Sequence, residues 1–314
     1  MEMAKNAEPN NIDRMFRETT VASVDELLQT LDRCGGHVFR GQPNAEWKLE
    51  TTFERAAKGV SPGHWRKLEL KVMTEFKRRA QHYLSDLPRA RLHLEWLALM
   101  QHHGSPTRLL DFTRSSYVSL FFAVEDSDSA SAVWAVDATF YESRPGVPSS
   151  DDHLHSTYNG YAEKEANDTL SPSNQQDCKS DVLLVEPYRM NERLSIQQGL
   201  FLFPKNLKGP FEENLCNRHG AKSLDELAQK TGTPVIVKII IPKKLHLQLV
   251  ILLSTMNISA ATLFPGLDGY ARSQKIHIQS AKLSIQQRWS LAKAFHEYAM
   301  RKTAGIRACS QLKP

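Results

Sequence analysis

The first residues in this sequence able to do chemistry are Val38-Phe39-Arg40-Gly41-Gln42. A guanidinium carried on a rigid strand presents a planar fork of donors that fits phosphate or carboxylate. Gly41 would remove side-chain bulk where a bound anion would sit. The alternative is an arginine paired with a buried acid. A second group follows at Gln101-His102-His103-Gly104-Ser105-Pro106-Thr107-Arg108-Leu109-Leu110-Asp111-Phe112-Thr113. Its polar side chains crowd a short turn before an apolar segment, so several must find partners among themselves or in a pocket. His102 and His103 are adjacent and point to different sides of a helix, so they do not jointly hold a metal. Arg108 has Asp111 as a nearby partner, while Asp111 and Thr113 precede a buried helix that either could cap. A third group, Arg193-Leu194-Ser195-Ile196-Gln197-Gln198-Gly199, places two neutral amides before a glycine and a strand. That arrangement suits hydrogen bonding to a base, ribose or carbonyl, or a tight turn into the strand. These three groups are expected to form one pocket.

The elements that must position them are legible from pattern. Ser23-Val24-Asp25-Glu26 is a capping box before Leu27, Leu28 and Leu31, and Gly35-Gly36 stops that helix. Residues 37–41 read as a strand. Val72, Phe76, Ala80 and Leu84 recur every fourth residue and predict a helix over 67–84, with a second over 91–103 ending at Gly104. The apolar stretch 116–124 reads as a buried helix, and 132–136, 182–185, 200–203 and 235–241 read as strands, the last in a central position. Ser223-Leu224-Asp225-Glu226 is a second capping box. Further helices are expected at 243–253, 259–263 and 285–302. Residues 1–18 read as a flexible arm, 142–180 as a long loop or disordered insertion, and 280–314 as a helical extension of a single domain over 19–314. Helices and strands do not alternate regularly, which predicts an α+β fold with a mixed or antiparallel central sheet packed by helices, not a doubly wound Rossmann fold.

Composition narrows the classes. The 314 residues carry 40 Lys and Arg against 35 Asp and Glu, a net charge of +5. That balance permits a polyanionic partner without requiring one. Four cysteines (Cys34, Cys178, Cys216 and Cys309) form no C-x-x-C pair, which argues against a zinc ribbon and suits a reducing compartment. The N-terminus lacks an apolar signal region, and the stretch 245–253 is too short to span a bilayer. A cytoplasmic protein is expected. There is no dinucleotide-type glycine motif and no Walker loop, and no acid cluster at metal-ligand spacing, so no metal is expected.

The sequence resembles the FRG-domain family at residues 38–42, 101–113, 193–201 and at Phe264-Pro265-Gly266-Leu267-Asp268-Gly269. The family resembles accessory genes of mobile elements and bacterial conflict systems, which implies a toxin or antiphage effector. The aromatic-Arg-Gly strand is also similar to the first strand of arginine-containing ADP-ribosyltransferases, in which the arginine braces the phosphates of NAD. Arg40 is the residue that matches. Thr107 or Thr113 stands for the hydroxyl, and where that family has a glutamate the turn here offers Gln197 and Gln198. Asp111, Glu192 or Asp268 would have to supply the acid. The resemblance thus implies an NAD-using transferase or glycohydrolase. Arg40, Gln42, Thr107, Arg108 and Gln198 would bind the nucleotide, His102 or His103 the ribose, and Asp111, Gln197 and His103 would work at the reacting face. The acceptor would be a nucleic acid or a protein. The alternative is a non-enzymatic sensor using the same pocket for a nucleotide or nucleic acid.

Overall fold

The computed structural model describes residues 13–144, 154–173, 178–281 and 293, with the side chains of 154–157 left aside. Along the chain, β1 is Phe16–Thr20, α1 Val24–Arg33, β2 His37–Gln42, α2 Thr52–Ala56, α3 Trp65–Ala80, α4 His93–His102, β3 Leu110–Thr113, α5 Ser116–Val124, β4 Ser131–Asp137, α6 Ala138–Glu142 and α7 Leu154–Leu170. Then come β5 Val182–Val185, α8 Glu192–Ile196, β6 Gly199–Pro204, α9 Phe211–Asn217, α10 Leu224–Ala228, β7 Ile236–Ile241, α11 His246–Thr255, α12 Ala260–Leu263, α13 Leu267–Ser273 and α14 Lys275–Ser280. The seven strands form one sheet in the order β1-β7-β4-β2-β3-β6-β5. Only β1 runs parallel to its neighbour, β7, and every other pairing is antiparallel. The fold is α+β, with a mixed sheet packed by helices.

Two-residue alternation explains the two layers. In β4, Val133 and Ala135 face a cluster with α1, α5, α11 and α12, whereas Trp134 and Val136 face a cluster with α4, α6, α7, α9 and α10. Each fully buried Leu or Val in these layers contributes about 1.5–3 kcal/mol.

The helix starts follow the sequence. Ser23 accepts from the Glu26 amide and Ser223 from the Glu226 amide, while the two glutamates reach back to the amides of Ala22 and Lys222.

Several expectations are corrected. Residues 16–18, expected in a flexible arm, belong to β1, whose exposed edge residues carry no apolar pattern of their own. Within 142–180, residues 154–170 form α7, which buries Tyr158, Ala162, Ala166 and Leu170 at four-residue spacing. Its polar remainder hid that stripe. Leu110–Thr113 is a strand. β7 lies one strand in from the edge, between β1 and β4. The helix expected at 285–302 and most of the 280–314 extension lie outside the described residues.

Candidate functional site: a split in the sheet

β2 and β3 share one paired position, Phe39 opposite Thr113. Beyond it the strands part. Instead of a continued ladder, Arg40 Nη1 donates across the gap to the backbone oxygen of Asp111 at 2.7 Å, and lies 3.9 Å from Asp111 Oδ2. A cavity of about 400 Å³ opens at this split. Because the sheet is open there, both helical layers reach it. Gln101 and His102 line it from α4, Phe122 from α5 and Glu125 from its C-cap, Arg193 and Gln197 from α8 and its end, and Arg272 from α13.

Arg40 has spare donors. Among the described residues, its buried Nε has no partner and its Nη2 makes no hydrogen bond. Burial pushes its pKa down, opposed by the attraction of Asp111. An unmet buried N–H costs about 1–3 kcal/mol, so this side chain is poised for an acceptor. Gly41 serves a different purpose from the one expected. A Cβ there would sit 1.9 Å from Ser119 O and 2.6 Å from Ala123 N, so glycine is needed for the close approach of α5. Phe39 packs into that same layer.

Asp111 is oriented by Gln101, whose Nε2 donates to Asp111 Oδ2 at 2.9 Å. The amide cannot turn over without loss, because Gln101 Oε1 accepts from the Thr107 hydroxyl at 2.5 Å. Thr107 is in turn tied to Thr52 and to the Leu109 amide. Thr107 is therefore fully buried scaffold, one step behind the cavity wall. Asp111 lies on β3 and caps nothing. Ser115 caps α5, and Thr113 accepts from the Ser115 amide and donates to Gln197 O.

The two other arginines differ in state. Arg272 is neutralised, pairing with Glu125 and Asp126. Arg193 is exposed, stacks on the Phe264 ring at 4.5 Å and forms no ion pair among the described residues. Partial burial lowers its pKa, with Asp111 opposing. Arg272 stacks on the same ring at 4.8 Å. His102 lies exposed on the rim, and desolvation, His103 and Arg193 together lower its pKa, which favours the neutral imidazole.

His103 is the C-cap of α4, outside the lining, with its ring 4.9 Å from that of His102. Gln42 is buried between Lys48 O and the Trp134 indole N–H. Arg108 is 1% exposed and pairs with Glu69, not Asp111. Gln198 takes a positive φ of 48° in the turn before β6 and is exposed off the lining. Gln197 lines the cavity, but its amide is committed to Leu263 O at 2.9 Å. Asp268 sits exposed in the first turn of α13, and Gly269 packs against Phe264 O. The sequence assigns no site role of their own to Gln101, Arg193, Phe122, Glu125 or Arg272. Gln101 and Arg193 opened their motifs and were legible there. Nothing local marks Glu125 or Arg272. Among the described residues, no three His, Cys, Asp or Glu side chains gather as a metal site, and no helix is long and apolar enough to cross a membrane.

The arrangement offers one under-used guanidinium in the split, a second at the rim, aromatic walls and an oriented carboxylate between them. That set suits a phosphate-bearing ligand with a polarisable body. No curated protein and no solved structure matches the chain. Residues 36–132 match the family model of the FRG domain, a stretch running from the start of β2 into β4 that contains Arg40, Gln101, His102 and Asp111.

Proposed function

We propose that the cavity binds a phosphate-bearing nucleotide, with NAD the first ligand to test, and cleaves or transfers it at the bond between nicotinamide and ribose. The observation that supports this is Arg40: a guanidinium in the sheet split whose Nε and Nη2 have no partner among the described residues. The diphosphate would lie on the Arg40 and Arg193 side. His102 would hydrogen-bond a ribose hydroxyl, and Phe122 and Phe201 would flank the ring systems. The Asp111 carboxylate, held through one oxygen by Gln101, would face the positive charge that develops on the ribose as nicotinamide departs. An effector role against a host macromolecule follows from the family resemblance alone.

A second reading is binding without turnover, as in a nucleotide sensor. It is favoured by Gln197, in the turn where the transferase resemblance would call for a glutamate, because its amide is spent on Leu263 O. Nicotinamide release from NAD by the purified chain separates the two, with Arg40→Ala and Asp111→Ala beside wild type. Turnover lost in both folded variants supports the enzyme. Saturable binding with no release, alone or with cell lysate as acceptor source, supports the sensor. Neither binding nor release overturns the nucleotide reading.

A further inference from the structure

The chain's excess positive charge is not spread evenly. Residues 66–91 hold eight Lys and Arg (Arg66, Lys67, Lys71, Lys77, Arg78, Arg79, Arg89 and Arg91) against Glu69, Glu75 and Asp86. That stretch alone nets +5, equal to the whole chain. Glu69 is consumed inside the protein by Arg108 and Arg66. On α3, Lys67, Lys71 and Arg78 repeat at helical spacing along one exposed stripe, which His82 continues past the helix end. Glu75 pairs with Arg78 and Arg79, but Lys67, Lys71, Arg89 and Arg91 make no ion pair among the described residues.

The loop that follows α3, and a second loop tied to it, each carry an exposed tyrosine with no ring contact among the described residues. Tyr83 is 83% exposed and Tyr188 is 86% exposed, the highest values among the described aromatics. They lie on separate segments, and the Arg189–Asp86 ion pair ties those segments together. A folded protein gains nothing for its own stability from leaving two tyrosines fully in water among arginines. Cations that follow a strand's backbone, interleaved with exposed rings on which bases stack, are what single-stranded nucleic acid requires. Duplexes need no stacking platform, and an acidic protein would need none either.

We propose that the face built by α3, the 81–92 loop and the 187–190 loop binds single-stranded nucleic acid, with Tyr83 and Tyr188 stacking on bases and the basic stripe tracking phosphates. The inference does not depend on what occupies the cavity.

The test is fluorescence anisotropy with a short labelled single-stranded RNA and the matching DNA, without NAD. Wild type should bind saturably and weaken steeply with salt, and Lys67→Glu with Lys71→Glu should flatten that salt dependence. Tyr83→Ala combined with Tyr188→Ala should weaken binding roughly tenfold or more. These side chains are exposed, and circular dichroism checks that the variants fold. Arg40→Ala should bind as wild type does; loss in that variant would assign the binding to the cavity and overturn the inference. Absence of saturable binding would also overturn it. So would equal binding of duplex or heparin with no effect of the tyrosine changes, because the surface would then be a general polyanion patch.

Discussion

Removing Glu69 should unfold this protein more readily than almost any other single change. Glu69 on α3 and Arg108 before β3 are 2% and 1% exposed. Arg108 Nε donates to Glu69 Oε1 at 2.6 Å, and Nη2 donates to Oε2 at 2.5 Å, a two-pronged fork. Nη1 completes the shell by donating to Pro204 O and Lys205 O at the end of β6. The pair therefore joins the α3 layer to the strand beside the sheet split. Glu69→Ala leaves Arg108 charged, buried and short of two hydrogen bonds. Breaking one side of such a pair costs about 3–5 kcal/mol. Arg108→Met together with Glu69→Leu removes both buried charges and should recover much of that loss, because the one cation left without its acid, Arg66, is partly exposed and still bonded to Ser171 O. Urea denaturation followed by circular dichroism measures each variant. A loss below about 1 kcal/mol for Glu69→Ala would refute the reasoning, as would a double variant no more stable than the single one.

Gly41→Ala should cost about 3 kcal/mol or more, since the added Cβ meets the backbone of α5 at 1.9 Å, and urea titration reads it. Gln101→Glu replaces a donor with a second carboxylate beside Asp111; it should destabilise by about 1–2 kcal/mol and weaken ADP-ribose binding several-fold in calorimetry. Acid should destabilise the fold through His219. Its pKa is lowered to about 4 by burial and by Arg218, and Nδ1 is buried without a partner. The neutral form is favoured on folding, so this contribution is complete above about pH 6.5 and is lost as pH falls toward 4, on the order of 3 kcal/mol. In His219→Asn, stability measured across that window should depend less on pH, and an unchanged slope would count against the assignment.

The candidate site was partly legible because its motifs are local. Arg40, His102, Asp111 and Gln197 were identifiable from residue type beside a glycine or a turn, and they do line one cavity. Thr107, Arg108 and Gln42 look the same in sequence, yet their partners are Gln101, Glu69 and Trp134, and two of those three lie in other elements far along the chain. Polarity marks a residue that needs partners; it does not say whether they are protein or ligand. Gly41 misled for the same reason, since a small residue makes room equally for an anion or for a neighbouring helix. Among the elements, those marked by continuous apolar composition, such as α5 and β4, were clear. β1 was not, because an exposed edge strand with an intermediate-exposed-exposed pattern shows neither helical nor strand periodicity.

Calorimetric titration of ADP-ribose into wild type, Arg40→Ala and Arg193→Ala tests the central claim most directly, because it asks for the phosphate contact without requiring turnover. Losing a charge-assisted contact of about 1.5–3 kcal/mol predicts affinity more than tenfold weaker in Arg40→Ala, with a smaller loss in Arg193→Ala. Affinity in folded Arg40→Ala equal to that of wild type, or no binding to any of the three, would contradict the assignment of the sheet split as a nucleotide phosphate site.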